Sequence, residues 1–174
     1  NDNTFYQNQA REGSVLNTNA HANLFKNQFI KNSATNGGCI FTEAGADLLV
    51  NQNYFKENIA TENGGVIKIN SRKINIVFNH FIQNQAQYGS SIYFSEIPCY
   101  NCSKNITLLY QNYFSSNIAV LDGTVYLSPN SFVRSVLNRF TNNKGGRGGI
   151  YYADIGSELL VLSENATNNQ ADFG

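Results

Sequence analysis

The sequence predicts an all-β fold: a single-stranded parallel β-helix, a solenoid with about 26 residues per coil. Three observations predict it. A pattern Asn-x-Phe-x-x-Asn-x-Ala recurs along all 174 residues. Each clear copy is followed by a Gly or Ser two residues before an aliphatic residue. Each Phe place is itself preceded by a pair of mostly apolar residues at period two.

The first pattern reads Asn3-Phe5-Asn8-Ala10, Asn27-Phe29-Asn32-Ala34, Asn53-Phe55-Asn58-Ala60 and Asn79-Phe81-Asn84-Ala86. It continues as Asn112-Phe114-Asn117-Ala119 and Asn138-Phe140-Asn143-Gly145. A decayed last copy has Ala166 in the Phe place, then Asn169 and Ala171. The Phe places are 24, 26, 26, 33, 26 and 26 residues apart, a series that chance does not produce. The second pattern pairs Ser14/Leu16, Gly38/Ile40, Gly65/Ile67, Ser90/Ile92, Gly123/Val125 and Gly148/Ile150. Its small residues allow tight corners or positive φ. The third pairs Ala22/Leu24, Leu48/Val50, Ile74/Ile76, Thr107/Leu109, Val133/Ser135 and Leu159/Val161, and period two is the strand signature.

Each repeat therefore holds about three short strand-like pieces separated by Gly/Asn turns. No repeat sustains a 3.6-residue apolar period, which excludes helical solenoids of similar repeat length. A repeat this short cannot bury its own apolar face, so it stacks on its neighbours, with coils in parallel register about 4.8 Å apart. Register places equivalent residues one above another. Phe29, Phe55, Phe81, Phe114 and Phe140 form an internal aromatic column. Asn32, Asn58, Asn84, Asn117 and Asn143 form an amide ladder, and Asn53, Asn79, Asn112 and Asn138 a second. Such ladders satisfy the backbone groups of turns.

Composition agrees with that reading. There are 28 Asn, and only 14% of residues are charged. Twelve basic and 12 acidic side chains give zero formal charge, so no strong field attracts nucleic acid or anionic lipid. No apolar run approaches the roughly 18 residues of a membrane helix, so no membrane insertion of this segment is expected. The chain begins at Asn1 without Met or a signal-peptide pattern, and both ends fall inside a repeat. It reads as one β-helix segment over residues 1–174, of about six to seven coils, belonging to a longer chain.

The clearest motif copies are Phe55-Lys56-Glu57-Asn58 with Gly64-Gly65-Val66-Ile67, and Phe29-Ile30-Lys31-Asn32 with Gly37-Gly38-Cys39-Ile40. In these FxxN and GGxI motifs the chain resembles the polymorphic outer membrane protein repeats of bacterial autotransporter-type adhesins, over nearly its whole length. Similar repeats occur in large surface proteins of protists, so the motif implies fold better than lineage. Later copies drift, with Asp122-Gly123-Thr124-Val125 replacing the double Gly. The resemblance implies a right-handed helix, an extracellular or cell-surface location and frequently adhesion.

The long spacing between Phe81 and Phe114 marks an inserted loop at about 95–104, containing Cys99 and Cys102. In an exported protein a local disulfide between them is the first reading. A redox motif normally opens a helix in a βαβ unit, and a zinc site needs about four ligands. Cys39 reads as a buried thiol. Sequons at Asn101, Asn105 and Asn165 are candidate N-glycosylation sites. The residues after each aliphatic corner residue, Phe41, Lys68, Tyr93, Tyr126 and Tyr151, share one coil position. Alternation turns them outward if Ile40 and its equivalents point inward. This row either binds sugar rings or a partner protein or lies covered by a loop or neighbouring chain.

Parallel β-helices also host polysaccharide lyases and glycosidases, which need clustered carboxylates. Glu43, Asp47, Asp122, Asp154 and Glu158 fall at different coil positions, and His21 and His80 are lone residues in polar stretches. The expectation is a structural or adhesive segment, not an enzyme, without a cofactor. It serves as a rigid shaft, an adhesin or a component of an extracellular assembly. Its expected partners are other proteins or cell-surface glycans, with end-to-end or lateral self-assembly as a further route. The alternative is a carbohydrate-binding or polysaccharide-cleaving β-helix protein.

Overall fold

The computed structural model describes residues 1–71, 73–95 and 107–173, with Lys73 described by its backbone alone. The inserted loop beyond Ser95, with Cys99, Asn101 and Cys102, and Asn105 after it lie outside the described residues. Among the described residues every strand pairing is parallel and no helix occurs. One full coil runs Tyr54–Lys56, Ile59–Asn63, Ile67–Ile69 and Lys73–Val77. Stacking these strands on those of neighbouring coils gives, among the described residues, four sheets, here called A to D in that order, with seven strands in A and six in each of the others. The chain is thus a β-solenoid of about six turns, with ladder residues such as Asn27 and Asn53 separated by 26 positions.

The core is the set of columns that register creates. In sheet A, Phe5, Phe29, Phe55, Phe81, Phe114 and Phe140 pair in sequence along the axis. Their rings stack with centroids 4.6–5.0 Å apart. From Phe29 to Phe140 each is fully buried. An offset aromatic pair adds about 0.5–1.5 kcal/mol beyond the area it buries, so the column is a principal cohesive element. In sheet D the inward pairs Leu48/Val50 and Ile74/Ile76 are buried, as period two requires.

Both amide ladders form. The Asn58 backbone N–H and Nδ2 each donate to Asn84 Oδ1 at 3.0 Å, and Nδ2 also donates to the Phe29 carbonyl at 2.9 Å. Asn58 Oδ1 in turn accepts from Asn32 N and Nδ2 at 3.0 and 3.1 Å. Two donations and two acceptances fill the capacity of one amide. The second ladder repeats the scheme, with Asn79 N and Nδ2 donating to Asn112 Oδ1 at 2.9 and 3.1 Å. The residue before each ladder Asn lies in the left-handed region, with φ between 49° and 58°. Gln52, Glu57, Phe78, Gln83 and Leu137 are examples. Such a corner is uncommon and costly for residues other than Gly and Asn, and the ladder bonds of the next residue hold the chain there.

Three readings are corrected. A coil has four strands, where the sequence suggested about three. The fourth, sheet B, follows the ladder Asn and is as short as Gln85–Ala86 or Lys144–Gly145. A two-residue strand has no alternation to read, and its inward side is only an Ala column: Ala34, Ala60, Ala86 and Ala119. Positive φ falls one residue before the expected corner positions, at Gly37, Gly64 and Gly89, and not at Gly38, Gly65, Ser90, Gly123 or Gly148. Gly38 and Gly65 are instead required by close approach, since a Cβ at either would run into the carbonyl oxygen of Gly65 or Ser90 in the next coil. The third correction concerns Tyr151 and bears on the candidate site.

Candidate functional site

Sheet C carries the predicted row. Asn17, Phe41, Lys68, Tyr93, Tyr126 and Tyr152 occupy its middle position from coil to coil. Tyr152, not Tyr151, is the last member. Tyr151 pairs with Val125 in the inward column of Ile40, Ile67 and Ile92. It meets the Phe140 ring edge-on at 5.2 Å. The register follows the ladder: Tyr151 is eight residues after Asn143, as Val125 is after Asn117 and Ile92 after Asn84. Ile150 has the expected chemistry but stands one position early.

Inside, Tyr151 OH donates to Glu164 Oε1 and Oε2 at 2.8 Å and lies 2.6 Å from Ser135 Oγ. Ser135 also bonds Glu164 directly, and Asn138 Nδ2 donates to both of them. Glu164 occupies the place of the next ladder Asn, 26 residues after Asn138. Burial, then the Glu164 charge, raises the Tyr151 pKa far above the phenol range. This polar cluster closes the interior where the Phe column ends at Ala166.

The members of the sheet C row touch chiefly one another. Tyr93 and Tyr126 stack at 4.6 Å and 5°, and Tyr126 and Tyr152 at 5.5 Å and 15°. Lys68 Nζ sits 5.7 Å from the Phe41 ring centre and 5.6 Å from that of Tyr93, and donates to Asn36 Oδ1 at 3.1 Å. The Arg147 guanidinium lies 4.1 Å over Tyr152 and donates to its hydroxyl at 2.9 Å. Phe41 and Tyr126 are buried. Burial lowers the Lys68 pKa, with Glu12 and Glu62 opposing it. The flat ring faces that would stack on a sugar are thus filled by neighbours in the row.

Two of the flagged carboxylates reach the same tyrosine pair. Asp154 Oδ2 accepts from Tyr126 OH at 3.1 Å. Asp122 stands five residues after Asn117, where earlier coils have Gly37 and Gly89. Its Oδ1 accepts from Gly89 N at 2.9 Å, while its buried Oδ2 has no partner among the described residues. Burial pushes the Asp122 carboxyl up to about 7, although the Gly89 N–H and the Arg147 charge pull the other way. Both carboxylates help raise the Tyr93 and Tyr126 pKa values, after burial. Asp47 faces His21 at 3.4 Å. Among the described residues no group of three or more His, Cys, Asp or Glu is placed to hold a metal ion. Cys39 is fully buried, and burial drives its thiol pKa up.

The sequence reading missed a second outward row, on sheet A: Tyr54, His80, Tyr113 and Arg139. Each immediately precedes a core Phe, so strict alternation could have revealed it. Its rings are spread rather than stacked. Tyr54 and His80 are 6.3 Å apart and tilted by 39°, and His80 meets Tyr113 at 5.7 Å and 72°. The Arg139 guanidinium lies 5.6 Å from the Tyr113 ring centre. His80 and Arg139 are exposed. Beside Tyr54 is a depression of about 490 Å³ lined also by Asp2, Lys26, Asn27, Gln28 and Gln52. Asn165 continues this column outward at the Arg139 step and is exposed. Its Oδ1 accepts from the Thr167 hydroxyl of its own sequon at 3.3 Å.

No protein-family model, curated protein or solved structure matches the chain.

Proposed function

We propose that the chain is a structural and adhesive segment of an exported or cell-surface protein, a rigid shaft whose outer wall presents side chains at fixed spacing. The observation that carries this reading is the pair of directional Asn ladders flanking a continuous Phe column. Every coil is keyed to the next in one register, which favours a stiff rod over a hinged catalytic cleft. The likeness of its FxxN and GGxI motifs to adhesin repeats supports the same location and role. Catalysis is not part of this reading, because Asp47, Asp122 and Asp154 are engaged by histidine, a backbone N–H and a tyrosine hydroxyl respectively. Antibody labelling of intact cells tests it: the expected result is signal without permeabilisation. Signal only after permeabilisation overturns export and the adhesive role with it.

A further inference from the structure

We propose that the outer face of sheet A, from the depression beside Tyr54 along His80 and Tyr113 to Arg139, binds an anionic polysaccharide chain. This deepens the adhesive part of the reading above by naming the class of ligand.

Four features converge there. The first is geometry: the row is straight, follows the solenoid axis, and advances one residue per coil, about 4.8 Å each. A linear polymer can lie along it and meet equivalent positions in turn. The second is ring availability. No ring pair in this row is stacked, in contrast to Tyr93 and Tyr126 on sheet C. Tyr54 and Tyr113 stand two coils apart as half-buried amphipathic platforms, apolar in the ring and polar at the hydroxyl, with the Arg139 guanidinium over the Tyr113 ring.

The third is charge. The chain is neutral as a whole, yet the outer face and corners of sheet A carry Lys26, Lys31, Lys56 and Arg139 against Asp2 and Glu57. Glu57 is shared between Lys31 and Lys56, at 3.5 and 3.2 Å, and Glu164, in the turn before the last sheet A strand, bonds Tyr151. The balance on this face is cationic. The fourth is the depression itself, a shallow surface feature whose lining brings the Tyr54 side chain together with Lys26, Asp2 and the amides of Gln28 and Gln52.

A single-stranded nucleic acid also uses aromatic rings and cations, but it carries a charge on every nucleotide. A modest excess of cations on a neutral chain suits the sparser charge of a uronic-acid or sulfated glycan better.

The test is calorimetric titration of the purified chain with polygalacturonate, heparin, dextran and oligothymidine. Binding to polygalacturonate or heparin is expected, weakening as salt rises, and which of the two binds identifies carboxylate or sulfate as the recognised group. The double variant Tyr54→Ala/Tyr113→Ala should weaken it by about tenfold or more. Arg139→Gln should weaken it and flatten its salt dependence, whereas Tyr152→Ala on sheet C should leave it unchanged. All these side chains lie on the outer wall, and unchanged circular dichroism checks the fold of each variant. The proposal is overturned if neither anionic glycan binds, if the double variant binds equally well, or if dextran or oligothymidine binds more tightly. Because the measurement uses purified chain, its failure leaves surface localisation standing, and a failure of surface labelling leaves the binding measurement standing.

Discussion

At the scale of single residues, the ladder asparagines do two jobs with one amide: they join adjacent coils and satisfy the backbone at a strained corner. Asn58→Ala would delete four hydrogen bonds, two donated by Nδ2 and two accepted by Oδ1. It would also strand the Asn32 N–H and the Phe29 carbonyl in the interior. Such orphaned groups cost about 1–3 kcal/mol each, so a loss of about 3–5 kcal/mol is expected in urea unfolding. Asn165→Ala, at an exposed site, should change stability by no more than about 0.5 kcal/mol. Asp122 makes a pH prediction. Its folded pKa of about 7 lies above the ordinary carboxyl value of 3.8, so the folded state holds the proton more tightly. The associated stability is fully present below about pH 3.8 and is lost as pH rises through about 7. Asp122→Asn should therefore remove that decline and stabilise the protein above pH 7, by on the order of 3 kcal/mol. Unfolding midpoints between pH 4 and 8 that run parallel for the two proteins would contradict this. The ladders were legible because identity recurs at fixed spacing. Asp122 was not, because its place in the coil is known only once glycine columns are counted from the ladder.

At the scale of elements, legibility followed the size of the inward side chain. Sheets A and D announce themselves through Phe, Leu and Ile, while sheet B turns only Ala inward and its shortest strands have two residues. The same principle explains the register error at Tyr151. Apolar chemistry favoured Ile150 as the inward residue, but the ladder bonds of Asn143 fix the count, and a tyrosine can occupy an interior place when its hydroxyl finds partners. Here Glu164 and Ser135 supply them. The outcome is testable by comparing neighbours. Tyr151→Ala removes a ring packed on Phe140 and the hydroxyl that donates to Glu164, and should cost about 3 kcal/mol. Tyr152→Ala loses its contacts with Tyr126 and Arg147 on the outer wall and should cost about 1 kcal/mol. If thermal unfolding ranks the two variants the other way, the register of the last coil is wrong.

At the scale of the whole molecule, coils speak only to their neighbours. Tyr54 N donates to the Asn27 carbonyl, His80 N to that of Asn53 and Tyr113 N to that of Asn79, each a single coil step. The recurring residues are thereby committed to holding the stack together, which is why they reveal fold and are silent on partners. Partner recognition is left to outward residues whose identity changes from coil to coil, such as His80 or Arg139: alternation locates their row, but no repeated identity marks it. Nearest-neighbour coupling also governs how the rod comes apart. Phe81, at the middle of the column, stacks on Phe55 at 5.0 Å and on Phe114 at 4.7 Å. Phe81→Ala should cost about 3–5 kcal/mol, and the loss should be local. Hydrogen exchange is expected to quicken most at amides of the Phe55, Phe81 and Phe114 coils, because both broken ring contacts lie there. Amides near Phe29 and Phe140, one coil further out, should change less, and the urea transition should broaden as the two halves uncouple. If protection instead falls equally from Phe29 to Phe140 with an unchanged slope, the solenoid unfolds as one cooperative unit, and nearest-neighbour additivity does not describe it.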